Sequence, residues 1–226
     1  SEHSDNYRFS DDCEKWFGQP IVYLRSSKYE TVDEVFKKTR YMSGVAGARC
    51  TTEVKKLPRL AFQRADDVHV WGFTAGETER INQFKLNNPD MLCLFLLQEF
   101  GISKKRCMEI LGESGIELPM MYRLFSKEDY WKHGVTGFDN NNCPGCVKAK
   151  SKWYWDMIRK YFPDVFKRRC EQSRTIGARL IEIDGVRAFL DQLPPGPFKR
   201  IAREENIPCG PECGTQAEFS ELLNCE

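Results

Sequence analysis

The chain has 226 residues, 41% of them hydrophobic, and a formal net charge of +1 at pH 7. This is enough apolar material for a buried core in one large domain or two small ones. A membrane span needs roughly 18 consecutive apolar residues, and no such run exists. A membrane-spanning protein is therefore excluded, and no membrane partner is expected. The opening SEHSDNYRF lacks the basic start, apolar middle and small-residue cleavage site of a secretory signal, so a cytoplasmic address is expected. Ten cysteines in a cytoplasmic chain point to metal ligation or thiol chemistry rather than to a disulfide framework.

The near-neutral total hides an asymmetry. Residues 143–203 carry +8 and residues 204–226 carry −6. A basic stretch of that size suits a solvated helix face or an anionic ligand, whether a nucleotide, a sulfate or a nucleic acid.

In chain order, Asp5 to Phe17 places Tyr7, Phe9, Cys13, Trp16 and Phe17 at helical spacing. Ile21 to Leu24 reads as a short strand. Thr31 followed by Glu34 has the form of a capping box opening a second helix, and Thr52 to Gln63 reads as a third. The runs Val68 to Phe73 and Leu92 to Leu97 read as further strands, unbroken rather than alternating, as strands covered on both faces are. Ser103 to Leu111 is a helix with an N-cap residue at its start. This alternation predicts an α/β fold with a doubly wound parallel sheet. From Ser126 the strand signal fades into a mainly helical region. Residues 151–170 carry an aromatic stripe that reads as core packing, with Pro163 dividing two helices or kinking one. The expected division is an α/β region of the nucleotide-binding type over residues 1–125 and a helical region with the basic segment and cysteines over 126–226.

Five cysteines stand in suggestive settings: Cys50 in ARCTTEVKKLP, Cys143 and Cys146 in NNNCPGCVK, and Cys209 and Cys213 in CGPECGT. A C-x2-C spacing lets two thiolates converge on one metal from a tight turn, and Pro144 and Gly145 supply the turn chemistry. With the C-x3-C pair downstream, four thiolates become available, the number required by a structural zinc or an iron–sulfur cluster. Cys13, Cys93, Cys107 and Cys170 sit among apolar neighbours and read as packing residues.

At these residues the sequence resembles the phosphoadenylyl-sulfate and adenylyl-sulfate reductase family, within the larger group of adenine-nucleotide enzymes that carry a pyrophosphate-binding loop. Cys50 stands at the first cysteine of the family's Cys-Cys pair, Lys55 and Pro58 at its Lys-x-x-Pro, Gly72 at the glycine ending a strand, and Cys143 and Cys146 at its C-x2-C. Order and spacing agree over roughly residues 1–150. Glu212 to Thr215, ECGT, resembles the tail that holds the family's nucleophilic cysteine. The departures are equally specific. The Ser-Gly-Gly-x-Asp-Ser phosphate loop is absent, as are the first strand, first helix and second strand, so an adenine nucleotide alpha-hydrolase-like sheet would be incomplete at its N-terminus. An N-terminal complementing segment or a partner chain is expected to supply the rest. Thr51 replaces the second cysteine of the pair, Thr74 and Ala75 stand where arginines follow the strand-end glycine, and Thr215 and Gln216 replace the residues after the Cys-Gly.

The resemblance implies either phosphoadenylyl-sulfate reductase-like chemistry, with a thioredoxin-like protein as reductant, or ATP pyrophosphatase chemistry. In the first, the Cys213 thiolate attacks sulfur and an external thiol then cleaves the sulfo-cysteine. Arg49, Lys55, Arg80 and Lys148 would hold the sulfate and phosphates, and His3 follows the expected nucleotide turn. The metal set, a 4Fe–4S cluster or zinc, is either Cys143, Cys146, Cys209 and Cys213 or the same set with Cys50 in place of Cys213. A thiolate closed onto a metal cannot also attack substrate, so Cys213 holds one role at a time. The alternative function is a non-catalytic nucleotide-sensing or nucleic-acid-associated module with a structural metal site.

Overall fold

The computed structural model describes residues 2–44 and 47–201. It is a mixed helix and strand structure, about half helical, with three small sheets. None of the described helices is long and apolar enough to cross a membrane.

Helix α1 spans Asp5–Phe17 and stops at Gly18, whose left-handed φ of 66° lets its N–H close back onto the Glu14 carbonyl at 2.9 Å. Its first turn is docked on a distant segment. The Asp5 carboxylate accepts the Met120 N–H at 2.7 Å, and Arg8 donates to the carbonyls of Glu117 and Leu118 at 3.1 and 3.3 Å. The next apolar run, Ile21 to Leu24, is not a strand. It has no partner strand among the described residues, and Val22, Tyr23 and Leu24 are exposed. Strand character needs a ladder as well as an apolar sequence.

Thr31 caps α2 (Val32–Thr39) by accepting the Glu34 N–H at 3.1 Å, and Val35 and Phe36 of this helix are fully buried. A short antiparallel ladder, β1 (Ser43–Gly44) with β2 (Gly47–Ala48), leads into a continuous helical run. That run comprises α3 (Arg49–Thr51), a π-helical stretch over Thr52–Lys56 and α4 (Leu57–Phe62). Strand β3 (His69–Val70) then pairs in parallel with β4 (Cys93–Leu94), with α5 (Thr78–Asn87) in the connection, as parallel pairing demands. One face of this pair packs on a small core of Phe73, Ile81, Phe84 and Phe95. The other face leaves Val68, Val70, Leu92 and Leu94 exposed. Only two residues of the Leu92 to Leu97 run are strand, because the chain turns helical again in α6 (Leu96–Glu99).

Helix α7 (Lys104–Glu113) starts at the Ser103 cap, and α8 (Lys127–His133) at the Ser126 cap. The aromatic stripe forms α9 (Lys152–Tyr161) and α10 (Pro163–Ile176), and Pro163 sits in the first turn of α10, where its missing N–H costs nothing. A hairpin of β5 (Ile181–Ile183) and β6 (Val186–Ala188) follows, turning on Asp184 and Gly185, both at positive φ. The main core gathers Trp153, Trp155, Met157 and Ile158 of α9 with Phe138, Ile181 and Leu190. Phe36, Met42 and Ala48, from the other side of position 125, belong to the same core.

Candidate functional site

The cysteine turn is built from the main core outward. Gly145 takes a left-handed φ of 69°, and a Cβ there would meet Val165 Cγ1 at 2.7 Å, so neither the conformation nor the space admits a side chain. The Tyr154 hydroxyl accepts the Cys146 N–H at 2.8 Å and lies 3.4 Å from the Cys143 carbonyl, to which it donates. Trp155 donates from its indole nitrogen to the Ala149 carbonyl at 2.9 Å, and Ser151 caps the same helix. Cys146, Val147 and Ala149 are buried as a result, while Cys143 is half-buried.

A third clamp comes from α10. Arg169, with a side chain only 3% exposed, donates to the Gly145 carbonyl at 3.2 Å and is ion-paired to Asp33 of α2. Arg168 holds the other carboxylate oxygen of Asp33 at 2.9 Å. Burial alone would raise the Asp33 carboxyl, but the two guanidiniums outweigh it and hold it below the usual range. One buried arginine thus ties α2, α10 and the cysteine turn together.

Cys50 lies in α3, half-buried against the main core to which Cys146 belongs. Around it the helical run is strongly basic. Arg49 pairs with the buried Glu53 at 2.8 Å and leaves its Nε buried without a partner. Lys55 lies in the π-helical stretch, half-buried, and its neighbour Lys56 is only 3% exposed. Thr51, at the position of the missing second cysteine, is buried with a hydroxyl that has no partner. Lys148 is half-buried two residues past Cys146, in the same turn region.

Arg80 stands apart from these groups. It pairs with Glu77 at 2.5 Å and lies 4.8 Å over the Phe73 ring, in the second core. His3 acts as a local cap, its Nδ1 accepting the Asp5 N–H at 3.1 Å, and its ring meets Phe162 edge-on at 5.8 Å. Cys209 and Cys213 lie outside the described residues. Among the described residues no three His, Cys, Asp or Glu side chains form a group that holds a metal ion. None of the seven described cysteines is in a disulfide with another, and burial pushes the Cys170 thiol up to about 11, far from a reactive thiolate.

Several residues here escaped the sequence reading. Tyr154 was visible only as part of an aromatic stripe, and Arg169 only as one of a run of bases. Lys56 becomes buried through the π-helical stretch, which shifts the register of the facing side chains by one position and has no sequence signature. No family model, curated protein or solved structure matches the chain.

Proposed function

We propose that the chain is a phosphoadenylyl-sulfate-reductase-like protein of adenine-nucleotide-linked sulfur chemistry, carrying a metal on its cysteine turn. The observation that supports this reading most is the C-x2-C turn itself, clamped by Tyr154 and Arg169 and packed in one core with the Cys50 helix. An all-thiol donor set on a pre-shaped turn fits zinc or an iron–sulfur cluster. Cys143 and Cys146 would hold it, with Cys209 and either Cys213 or Cys50. The metal would fix the turn.

The reductase reaction requires the ligand set that Cys50 completes, which leaves Cys213 free, and in it the Cys213 thiolate forms a bond to the sulfate sulfur of phosphoadenylyl sulfate. The sulfur–oxygen bond breaks and adenosine bisphosphate leaves. A dithiol protein of the thioredoxin kind then attacks Cys213, releasing sulfite and restoring the thiol. The dithiol supplies the two electrons and ends as a disulfide. Arg49, Lys55 and Lys148 hold the anionic substrate, and Arg80 serves the strand side. The parallel β3–β4 pair belongs, in this reading, to a doubly wound sheet completed by an N-terminal segment or partner chain. The uncovered aliphatic face of Val68, Val70, Leu92 and Leu94 supports that.

Anaerobically purified chain should contain about four irons or about one zinc. Cys143→Ser and Cys146→Ser should each remove the metal, and Tyr154→Phe should speed its loss to a chelator. Absence of both metals with all ten thiols free overturns the reading. Cys213→Ser assigns the last role. Loss of metal marks a ligand, whereas retention of metal with loss of sulfite release, measured with the phosphate-loop segment supplied, marks the nucleophile.

A further inference from the structure

A cavity of about 570 Å³ between α2 and α10 is lined by three acidic and three basic side chains, which balance one another, and it selects neither an anion nor a cation. A second cavity, of about 660 Å³, differs. It lies between α7 and the loop of residues 134–140 that runs into the cysteine turn, and its volume is that of a small-molecule site. Lys104, Lys105, Met108, Tyr122, Tyr130 and Asp139 are among the residues that line it.

Its far wall is rigid. Phe138 donates its N–H to the Met121 carbonyl at 2.7 Å, Phe125 to Thr136 at 2.9 Å, and the Thr136 hydroxyl to Tyr122 at 2.9 Å. A Cβ on Gly137 would stand 2.3 Å from the Tyr122 carbonyl carbon, so the two segments meet at the closest approach glycine permits. The near wall is set by the parallel strands. Beyond their carboxyl ends the chain crosses from Ala75 to Ile102 by a hydrogen bond of 2.9 Å, which puts the start of α7 on that side of the sheet. Open parallel sheets place ligands outside the carboxyl ends of their strands.

The charge is cationic. Among the described residues the only carboxylate lining the cavity is Asp139, and Arg200 neutralises it with contacts of 2.6 Å to both oxygens. Lys104 donates to Asn140 Oδ1 at 2.9 Å and to the Asp139 carbonyl, both neutral acceptors, and lies 5.4 Å over the Tyr122 ring. Its ammonium is pulled below the ordinary lysine range by burial, against the attraction of Asp139 and Glu77. Lys105 adds a second ammonium, exposed and 3.7 Å from the Glu109 carboxylate, an exposed pair one turn apart that a phosphate can displace.

We infer that this cavity binds an aromatic phosphate ester of nucleotide size, its ring against Tyr122, Tyr130 and Met108 and its phosphate against Lys104 and Lys105. This deepens the function proposed above, locating the nucleotide end of the substrate one loop away from the cysteine turn.

The test is calorimetric titration of the full chain with adenosine 5′-monophosphate, with adenosine and inorganic phosphate as half-ligands. The nucleotide should bind saturably, at least about tenfold tighter than either half, the gain expected when two weak contacts are joined. Lys104→Met should weaken it by about tenfold or more, as loss of a charge-assisted contact does. Lys105→Met and Tyr130→Ala, which change exposed side chains and leave folding intact, should each weaken it several-fold. Unchanged affinity in both exposed variants, or no binding to the wild-type chain, overturns the inference. Loss of binding in Arg49→Gln but in none of the cavity variants overturns the cavity and leaves the nucleotide reading standing. Binding lost in the cavity variants of a chain that contains no metal leaves the cavity standing and removes the cysteine reading.

Discussion

The region around the cysteine turn and the region around β3–β4 are built to different standards. The first buries two tryptophans, Tyr154, Met157 and Ile158 from one helix alone and satisfies the turn through three separate clamps. The second has four buried residues and presents an aliphatic strand face to solvent. A two-stranded parallel pair is too small to hold itself, and parallel sheets elsewhere are covered on both faces. The comparison teaches that the better-packed part of the described chain is the one that carries Cys143 and Cys146, while the strand pair keeps one aliphatic face exposed.

The largest expected effect breaks the stronger region. Trp155→Ala, at a fully buried position, should cost about 3–5 kcal/mol in urea denaturation. Phe84→Ala in the second core should cost about 2 kcal/mol, because a thin cluster open on one side collapses more readily around the gap. Equal losses would refute the asymmetry. Next in size is Gly145→Ala, expected to cost about 1–3 kcal/mol through forced left-handed backbone and the Val165 contact. Gly134→Ala is its control, with a φ of 71° and open space around the missing Cβ, and should cost no more than about 1–2 kcal/mol. Only the first should speed alkylation of Cys143 and Cys146.

The smallest effect concerns α1. Asp5 is held at about 2, chiefly by its hydrogen bond from Arg8, with the Met120 N–H and Arg123 adding to it against the opposing effect of burial. Its folded value lies below its unfolded value of about 3.9, so it stabilises the fold above about pH 4, and that contribution is lost as pH falls towards 2. Asp5→Asn should flatten the stability profile in that window and lower stability near neutrality, where the ionised carboxylate contributes in full.

Much of the local structure was legible. The Asp5 to Phe17 helix, the Thr31 and Ser103 starts and the break at Pro163 rest on helical periodicity, capping and proline chemistry, which act within a few residues. The parallel pairing of the second and third apolar runs was legible as a class, its two-residue length was not. Ile21 to Leu24 has strand composition and no ladder, a matter of neighbours that sequence does not encode locally. The hairpin of β5 and β6 was missed although Asp184-Gly185 between two alternating triplets, Ile-Glu-Ile and Val-Arg-Ala, is a strong turn signal. At the site, the turn chemistry of Pro144 and Gly145 was readable, whereas the buried Arg169 and Lys56 depend on contacts that only the tertiary fold creates.

The Arg169 clamp has a bearing on biogenesis. A chain is synthesised from its N-terminus, and Gly145 precedes Arg169 by 24 residues, while Asp33 precedes it by 136. Cys143 and Cys146 therefore leave the ribosome before the guanidinium that locks their turn has emerged. During that interval two thiols are open to oxidants and to any metal present. The turn is locked only once α10 has closed onto α2.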